Sequence, residues 1–339
     1  MSYVMNVAIL GAGSIARTMS KTIRGMKANG RPVELYAVAS RSLDKAEAFA
    51  AEEGVCKAYG SYEAMLADPD VHLVYIATPH SHHAEQMKMC IEAGKPVLCE
   101  KAFTSNAAEA REVLALAEKK GVYVAEALWP RYMPSRKIID DLIAEGAIGE
   151  PRMLTTSLCY SLEHVERMYN PALAGGALLD LGIYVLNFAS MVFGDDIAET
   201  TSMVDMFDTG VDRTETIGIK YRNGKLAQLM ASAAFNSDRH CVVYGTKGYI
   251  TVDNVNNPGW IEVFEGQNYG KPVRHIDVPR QITGYEYEVE ACLRDLQTDA
   301  LEPVEMPHAQ TIELMRQMDA LRAEWGMKFP YEKELPSGN

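Results

Sequence analysis

Between Asn6 and Glu126 the chain alternates short, β-branched apolar runs with longer stretches whose apolar residues recur at helical spacing. Residues 7–10, 33–40, 73–77, 95–99 and 122–125 read as strands. Residues 14–26, 43–52, 83–93 and 107–120 read as helices, the last ending at Gly121. Strands apolar on both faces need cover on both sides, which a parallel sheet flanked by helices supplies. An α/β N-terminal domain of doubly wound, Rossmann type is therefore expected over residues 1–126.

Beyond Trp129 the rhythm changes. Helical patterns at 134–145 and 176–192 bracket an extended stretch at 152–161, and 200–278 reads as successive strands with turn signals between them. Arg222-Asn223-Gly224-Lys225 carries the signature of a two-residue hairpin loop. Helices at 285–296 and 308–325 close the chain. Strands grouped in this way predict an α+β C-terminal domain on a mostly antiparallel, open-faced sheet over 127–339.

Composition narrows the function. The 339 residues fit two domains of ~150 residues each, and 47% hydrophobic with 23% charged residues is an ordinary globular balance. Asp and Glu outnumber Lys and Arg by 46 to 33, a formal net charge of -13, and no basic run is longer than Lys119-Lys120. Such a chain repels phosphate backbones, so nucleic acid is not expected as a partner. The six cysteines, at 56, 90, 99, 159, 241 and 292, form no Cys-x-x-Cys pair, and reduced thiols in a cytoplasmic protein are expected. No targeting segment is visible: residues 1–16 lack a basic start and contain Gly11 and Gly13. The most membrane-like stretch, 172–193, carries Asp180 and Asn187. An Asp near a bilayer centre costs roughly 2.5–3.5 kcal/mol, so a buried helix is expected rather than a membrane span. The Asp then needs a reason.

Gly11-Ala-Gly13-Ser14-Ile15-Ala16 follows the first strand directly and opens the first helix. Gly11 allows the tight turn, Gly13 lets the backbone approach a pyrophosphate, and Ala16 stands for the third glycine in helix–strand packing. The helix N-terminus, at Ser14 and Ile15, adds amide donors and partial positive charge. An NAD-specific site ends its second strand in Asp or Glu. Here the strand ends Ala39-Ser40-Arg41-Ser42, and a hydroxyl with a guanidinium suits a 2′-phosphate, so NADP is expected over NAD.

Two further clusters fall at strand ends, where open α/β sheets bind ligands. Thr78-Pro-His80-Ser-His-His83 has no carboxylate or Cys at ligand spacing, so cofactor or substrate contact is expected there rather than metal. Cys99-Glu100-Lys101-Ala102 places a lysine that either reaches solvent or works in the site. In the second domain Gly175-Gly-Ala-Leu-Leu-Asp180-Leu-Gly-Ile-Tyr184 sets Asp180 and Tyr184 on one helix face. A satisfied core Asp beside an ordinary core Tyr is the other reading of that segment.

Taken together and in this order, these motifs resemble the glucose–fructose oxidoreductase/inositol dehydrogenase (Gfo/Idh/MocA) family over essentially the whole chain. Within it, Ala127-Leu-Trp129-Pro-Arg131-Tyr132 and Tyr184 resemble the dimeric dihydrodiol dehydrogenases and the NADP-dependent D-xylose dehydrogenases; many other members have a histidine at the position of Tyr184. The resemblance implies hydride transfer between NADP and a sugar, vicinal diol or hydroxyketone. It implies Lys101 and Tyr184 as the catalytic pair with Asp180 beside them. Gly11, Gly13, Ser40 and Arg41 match cofactor positions, and Trp129 and Arg131 match the edge of the substrate pocket. It also implies a homodimer or dimer of dimers, formed through the open face of the second-domain sheet. The usual Glu-Lys-Pro reads Glu100-Lys101-Ala102 here, in a loop whose bond is often cis in relatives.

The chemistry is coherent in its own terms. A hydride leaves carbon as its hydroxyl loses a proton, so a base must stand at that oxygen. A free Tyr, with a pKa of about 10, is too weak an acid for this near neutrality, and an adjacent ammonium lowers it. Two other functions are weighed: a glycosidase that retains NAD, which Ser40-Arg41 speaks against, and a non-enzymatic nucleotide sensor, which has no need of Lys101, Asp180 and Tyr184 together. His164, Arg167, Arg213 and His240 are further polar candidates for the substrate pocket.

Overall fold

Six strands, β1 (Met5–Leu10), β2 (Val33–Ala39), β3 (Lys57–Tyr59), β4 (Leu73–Ile76), β5 (Val97–Glu100) and β6 (Val124–Ala127), form one parallel sheet in the computed structural model. The structure describes residues 3–266 and 270–335. The strand order is β3-β2-β1-β4-β5-β6, so the winding reverses between β1 and β4 and opens a crevice at their carboxyl ends. Helices Ser14–Ala28, Leu43–Glu53, His83–Glu92 and Ala107–Lys120 fall where the apolar spacing predicts them. The last is fixed by local chemistry: the Asn106 side chain accepts the Glu109 N–H at 2.9 Å, and Gly121 ends it at a φ of 64°. β3 and the short helix Tyr62–Leu66 escape the sequence reading because neither is long enough to show a period.

The chain folds as two compact units, and each is discontinuous. The first holds the chain through Tyr132 together with Gln281–Met315; the second holds Met133–Arg280 and the chain from Arg316 onward. The sequence reading places the whole of 127–339 in one domain, whereas helix Glu286–Leu296 returns to the first unit. It buries Val289, Cys292 and Leu293 in the same core as Leu98, Tyr123 and Ala125. The Tyr123 hydroxyl donates to Asp295 at 3.1 Å. The following segment closes the sheet edge: the Val124 N–H donates to the Leu301 carbonyl at 3.2 Å, and His308 Nε2 lies 2.8 Å from the Val124 carbonyl. Helical spacing alone does not say which sheet a helix will cover.

The second unit is built on β7 (Pro151–Cys159), β8 (Ile197–Met206), β9 (Asp212–Tyr221), β10 (Leu226–Ser232), β11 (Cys241–Gly245), β12 (Gly248–Val252), β13 (Trp260–Glu265) and β14 (Arg274–Asp277). They lie in the order β14-β13-β12-β11-β7-β10-β9-β8, antiparallel throughout except for the β7–β10 pair. One face carries buried Leu154, Leu158, Ile217, Ile219, Leu229 and Val243. The apolar segment Pro171–Phe193 is buried over 89% of its most apolar stretch. The other face is open, with Met203 74% exposed and a groove of about 560 Å³ along Met153, Thr201, Met203 and Gln228. The turn between β9 and β10 encloses three residues, 222–224, between paired Tyr221 and Lys225, rather than the expected two. Tyr221 donates to the Lys225 carbonyl at 3.0 Å, and Gly224, at a φ of 84°, takes the extra left-handed position. The six cysteines are free thiols, all but Cys56 buried.

Candidate active site

In the first unit the turn after β1 is shaped by two glycines with different duties. Gly11 has a φ of 107°, and a β-carbon there would lie 2.7 Å from the Ala77 carbonyl oxygen. No side chain can be added without moving β4. Gly13 is extended, and its missing side chain would point into open space. It is the N-cap of helix Ser14–Ala28, which has neither a side-chain cap nor an acidic residue in its first turn. The first amides of the helix are therefore left to an anion, and these residues fit the pyrophosphate of a dinucleotide. Ser14 is exposed, Ile15 packs partly on the core and Ala16 is fully buried. At the end of β2, the Ser40 N–H donates to the Tyr59 carbonyl at 3.1 Å, and Arg41 is exposed with its charge reaching Tyr62.

The loop after β4 and the loop after β5 are tied together by a histidine. His83 is fully buried, with Nε2 2.8 Å from the Thr78 carbonyl and Nδ1 2.9 Å from the Ala102 carbonyl. Burial pushes its pKa below the ordinary value, and a neutral ring can donate to only one of the two oxygens. The sequence reading puts His83 against the cofactor. Enclosed on all sides, it instead fixes the two loops that meet at the crevice. Thr78 and His80 are half-buried there, the Thr78 hydroxyl donating to Gln86 at 2.6 Å and the His80 ring standing edge-on to His83. Among the described residues no three His, Cys, Asp or Glu side chains gather as a metal would need.

Glu100 ends β5, Lys101 follows it half-buried, and the Lys101–Ala102 peptide bond is cis although no proline is present. The Tyr75 hydroxyl donates to Glu100. Two acids that sequence reasoning does not single out lie within the same unit. Glu126 receives the Thr311 hydroxyl at 2.8 Å and is pushed up to about 7 by burial, with Arg131 pulling the other way. Glu288 is fully buried, no donor among the described residues reaches either oxygen, and burial with the nearby charge of Glu100 holds it well above the carboxylate range. Trp129, expected at the rim of a substrate pocket, is 6% exposed and stacks on Tyr285 at 4.4 Å. Arg131 is half-buried. An apolar period gives no warning of acids such as Glu126 and Glu288, because a glutamate at a core position interrupts it.

In the second unit Asp180 and Tyr184 are both buried, at 7% and 6% exposure. The expected continuous α-helix is not what carries them. Leu178–Gly182 forms a π-helical turn that passes into the α-helix Ile183–Phe193, so Asp180 lies in the wider turn and Tyr184 in the helix proper. Of the four further polar candidates, the structure brings one to this segment: Arg167 Nη1 pairs with Asp180 Oδ2 at 2.5 Å. Arg213 turns to Asp205 and Glu163, His164 is exposed, and the His240 ring stands edge-on to Trp260.

Comparison with known proteins agrees with the two-domain fold. Residues 5–128 match the model of an oxidoreductase family with an NAD-binding Rossmann fold, and 137–251 match the Gfo/Idh/MocA C-terminal domain. The chain is 35% identical over 331 residues to a trans-1,2-dihydrobenzene-1,2-diol dehydrogenase of Mus musculus, covering 96% of this chain and 98% of that one. The Homo sapiens enzyme of the same name is 34% identical over 309 residues, 88% of this chain and 91% of its own. Two solved structures share the fold. A 3-ketoreductase from Actinomadura kijaniata, in complex with NADP and TDP-benzene, has a TM-score of 0.83 at 24% identity over 95% of this chain and 98% of that one. A levoglucosan dehydrogenase, in complex with NADH and levoglucosan, has a TM-score of 0.85 at 19% identity over 96% and 97%. With both domains matched in order and a relative above one-third identity along nearly its full length, the chain belongs to the Gfo/Idh/MocA family of NAD(P)-dependent oxidoreductases.

Proposed function

We propose that the protein transfers a hydride between NADP and the CH–OH carbon of a sugar, vicinal diol or related hydroxy/carbonyl compound, with Tyr184 as acid/base and Lys101 assisting it. The observation that carries this reading is a buried acid and a buried phenol, Asp180 and Tyr184, in an otherwise apolar segment, with Arg167 drawn in to pair with the acid. Burial of that kind is costly without a partner or a task.

When bound, the nicotinamide supplies or accepts the hydride. The backbone at Gly11, Gly13, Ser14 and Ile15 would hold the pyrophosphate, and Ser40 with Arg41 the 2′-phosphate. Thr78, His80 and Glu100 would line the nicotinamide end. In the oxidative direction Tyr184 Oη takes the proton of the reacting hydroxyl, and in reduction it returns it. The Lys101 ammonium favours the phenolate and stabilises negative charge developing on the substrate oxygen. Asp180, paired with Arg167, accepts a hydrogen bond from a second hydroxyl of the substrate and so favours diols over simple alcohols. Trp129 and Arg131 would border the substrate. The open face of the eight-stranded sheet, with Met203 exposed on its edge strand β8, is read as the seat of a second copy of this chain. Sedimentation tests that: Met203→Lys should be monomeric at a concentration where the parent is dimeric, and equal sizes would remove the assignment.

The deciding experiment follows nicotinamide absorbance in purified protein given NADP or NAD and a panel of vicinal diols, aldopentoses, inositols and dicarbonyls. Turnover of a carbinol or carbonyl with NADP supports the reading. A protein that binds a dinucleotide by calorimetry yet turns over none of them overturns it.

A further inference from the structure

Asp212 opens β9 and Glu215 stands three residues later, a spacing that in a regular strand puts side chains on opposite faces. Here both are on one face. β9 pairs with β8 through Asp205↔Thr214 and next at Met206↔Asp212, so Arg213 is an extra, bulged residue. The bulge turns both carboxyls into the core, where Asp212 is 0% and Glu215 1% exposed. Glu215 lies in the same cross-strand row as buried Ala231 and Leu158. Each carboxyl is near enough to shift the other's protonation, and Asp212 Oδ1 and both oxygens of Glu215 are buried with no hydrogen-bond partner among the described residues. Two acids so placed must hold a proton between them, since a pair of buried carboxylates would repel.

Both press on the segment that carries Asp180 and Tyr184. Asp212 Oδ2 accepts the Leu178 N–H at 2.5 Å, at the first residue of the π-helical turn. A β-carbon on Gly176 would come within 2.1 Å of Asp212 Oδ1, and one on Gly182 within 2.8 Å of Glu215 Oε1. The glycines on either side of Asp180 thus stand where the acids need room. The other charge felt by Asp212 is that of Arg322, which is buried and paired with Asp319 and Glu332. Burial lifts Asp212 to about 6 and Glu215 well above the carboxylate range.

We propose that Asp212 and Glu215 are a proton-sharing positioning pair that fixes the π-helical turn and so aims Asp180 and Tyr184 at the substrate. The roles of Asp180 and Tyr184 rest on the proposed function; the shared proton and the hold on the turn do not. Neither acid touches substrate, so both act through the backbone of the turn.

Two variants of the full chain test it. Glu215→Gln keeps the shape and offers an N–H in place of the shared O–H, while Glu215→Ala offers nothing. At neutral pH the infrared spectrum of the parent should contain a protonated-carboxyl band that Glu215→Gln lacks; spectra that coincide there would overturn the shared proton. Hydrogen exchange of residues 178–184 should be about tenfold faster in the Ala variant and unchanged in the Gln variant. Equal protection in all three would overturn the hold on the turn. With the best carbinol, kcat should fall about tenfold or more in Glu215→Ala at unchanged KM for NADP, and stay within about threefold of the parent in Glu215→Gln. A parental kcat in a folded Ala variant would overturn positioning. If circular dichroism shows the Ala variant unfolded, the Gln variant decides: band loss with retained kcat sustains the pair, and collapse of kcat refutes it. If the parent turns over no carbinol at all, the proposed function fails, while the infrared and exchange results still decide on the pair.

Discussion

Arg167 and Asp180 meet at 2.5 Å, which ties the short helix Glu166–Tyr169 to the π-helical turn Leu178–Gly182. The arginine side chain is 47% exposed and the aspartate 10%, so water screens the pair from one side and it contributes little to stability. Its value is to hold a buried carboxylate in a fixed direction. Arg167→Ala should therefore raise the KM for a diol by about tenfold and leave the dinucleotide affinity unchanged. Arg167→Lys, which loses the planar fork but keeps the charge, should recover part of the loss. Steady-state kinetics checks this, and an unchanged KM in the Ala variant would separate Asp180 from substrate binding.

Tyr184→Phe removes one oxygen from a buried ring and leaves the packing nearly intact. If Tyr184 is the acid/base, kcat should drop by ~100-fold or more, with dinucleotide binding retained. Single-turnover hydride transfer is the measurement. A rate within a few-fold of the parent would assign the proton to another group.

Arg41 is exposed at the end of a strand that has no carboxylate beside it. Arg41→Ala should weaken NADP by about tenfold or more and NAD much less, because only the former offers a 2′-phosphate. Calorimetric titration of both dinucleotides tests this, and equal losses would sink the 2′-phosphate assignment.

Glu126 gives a prediction about pH. Its folded pKa, lifted by burial to about 7, stands above the unfolded value, so the folded chain binds the extra proton between the two. The stability it contributes is complete below the unfolded pKa and is lost as pH rises through about 7. From an ordinary 4.5 to about 7 the elevation corresponds to about 3 kcal/mol withheld at pH 8. Glu126→Gln, which cannot ionise, should melt higher than the parent at pH 8 relative to their difference at pH 5. A gap that is the same at both pH values would show that Glu126 does not titrate in this window.

What could be read from the sequence was whatever is decided locally. The turn at Gly11 and Gly13 follows from backbone freedom, and the ends of helix Ala107–Lys120 follow from Asn106 and Gly121, so both are written in a few adjacent residues. The π-helical turn was hidden because Gly176 and Gly182 read as ordinary helix glycines until Asp212 and Glu215 are seen pressing on them from another strand. The bulge at Arg213 was hidden for the same reason: alternation is interrupted by one residue, and only the partner strand shows that it is an insertion. In the sequence a histidine such as His83 looks the same whether it faces a ligand or two carbonyls.

The return of Gln281–Met315 to the first unit separates the order of synthesis from the order of assembly. A ribosome releases the six strands of the parallel sheet long before Val289, Cys292 and Leu293 exist to cover their core and Leu301 exists to occupy the edge of β6. Until then the nascent domain presents an open apolar face and an unpaired strand, the two features that invite wrong partners. A fragment cut at the apparent end of the dinucleotide domain would carry the same defect permanently.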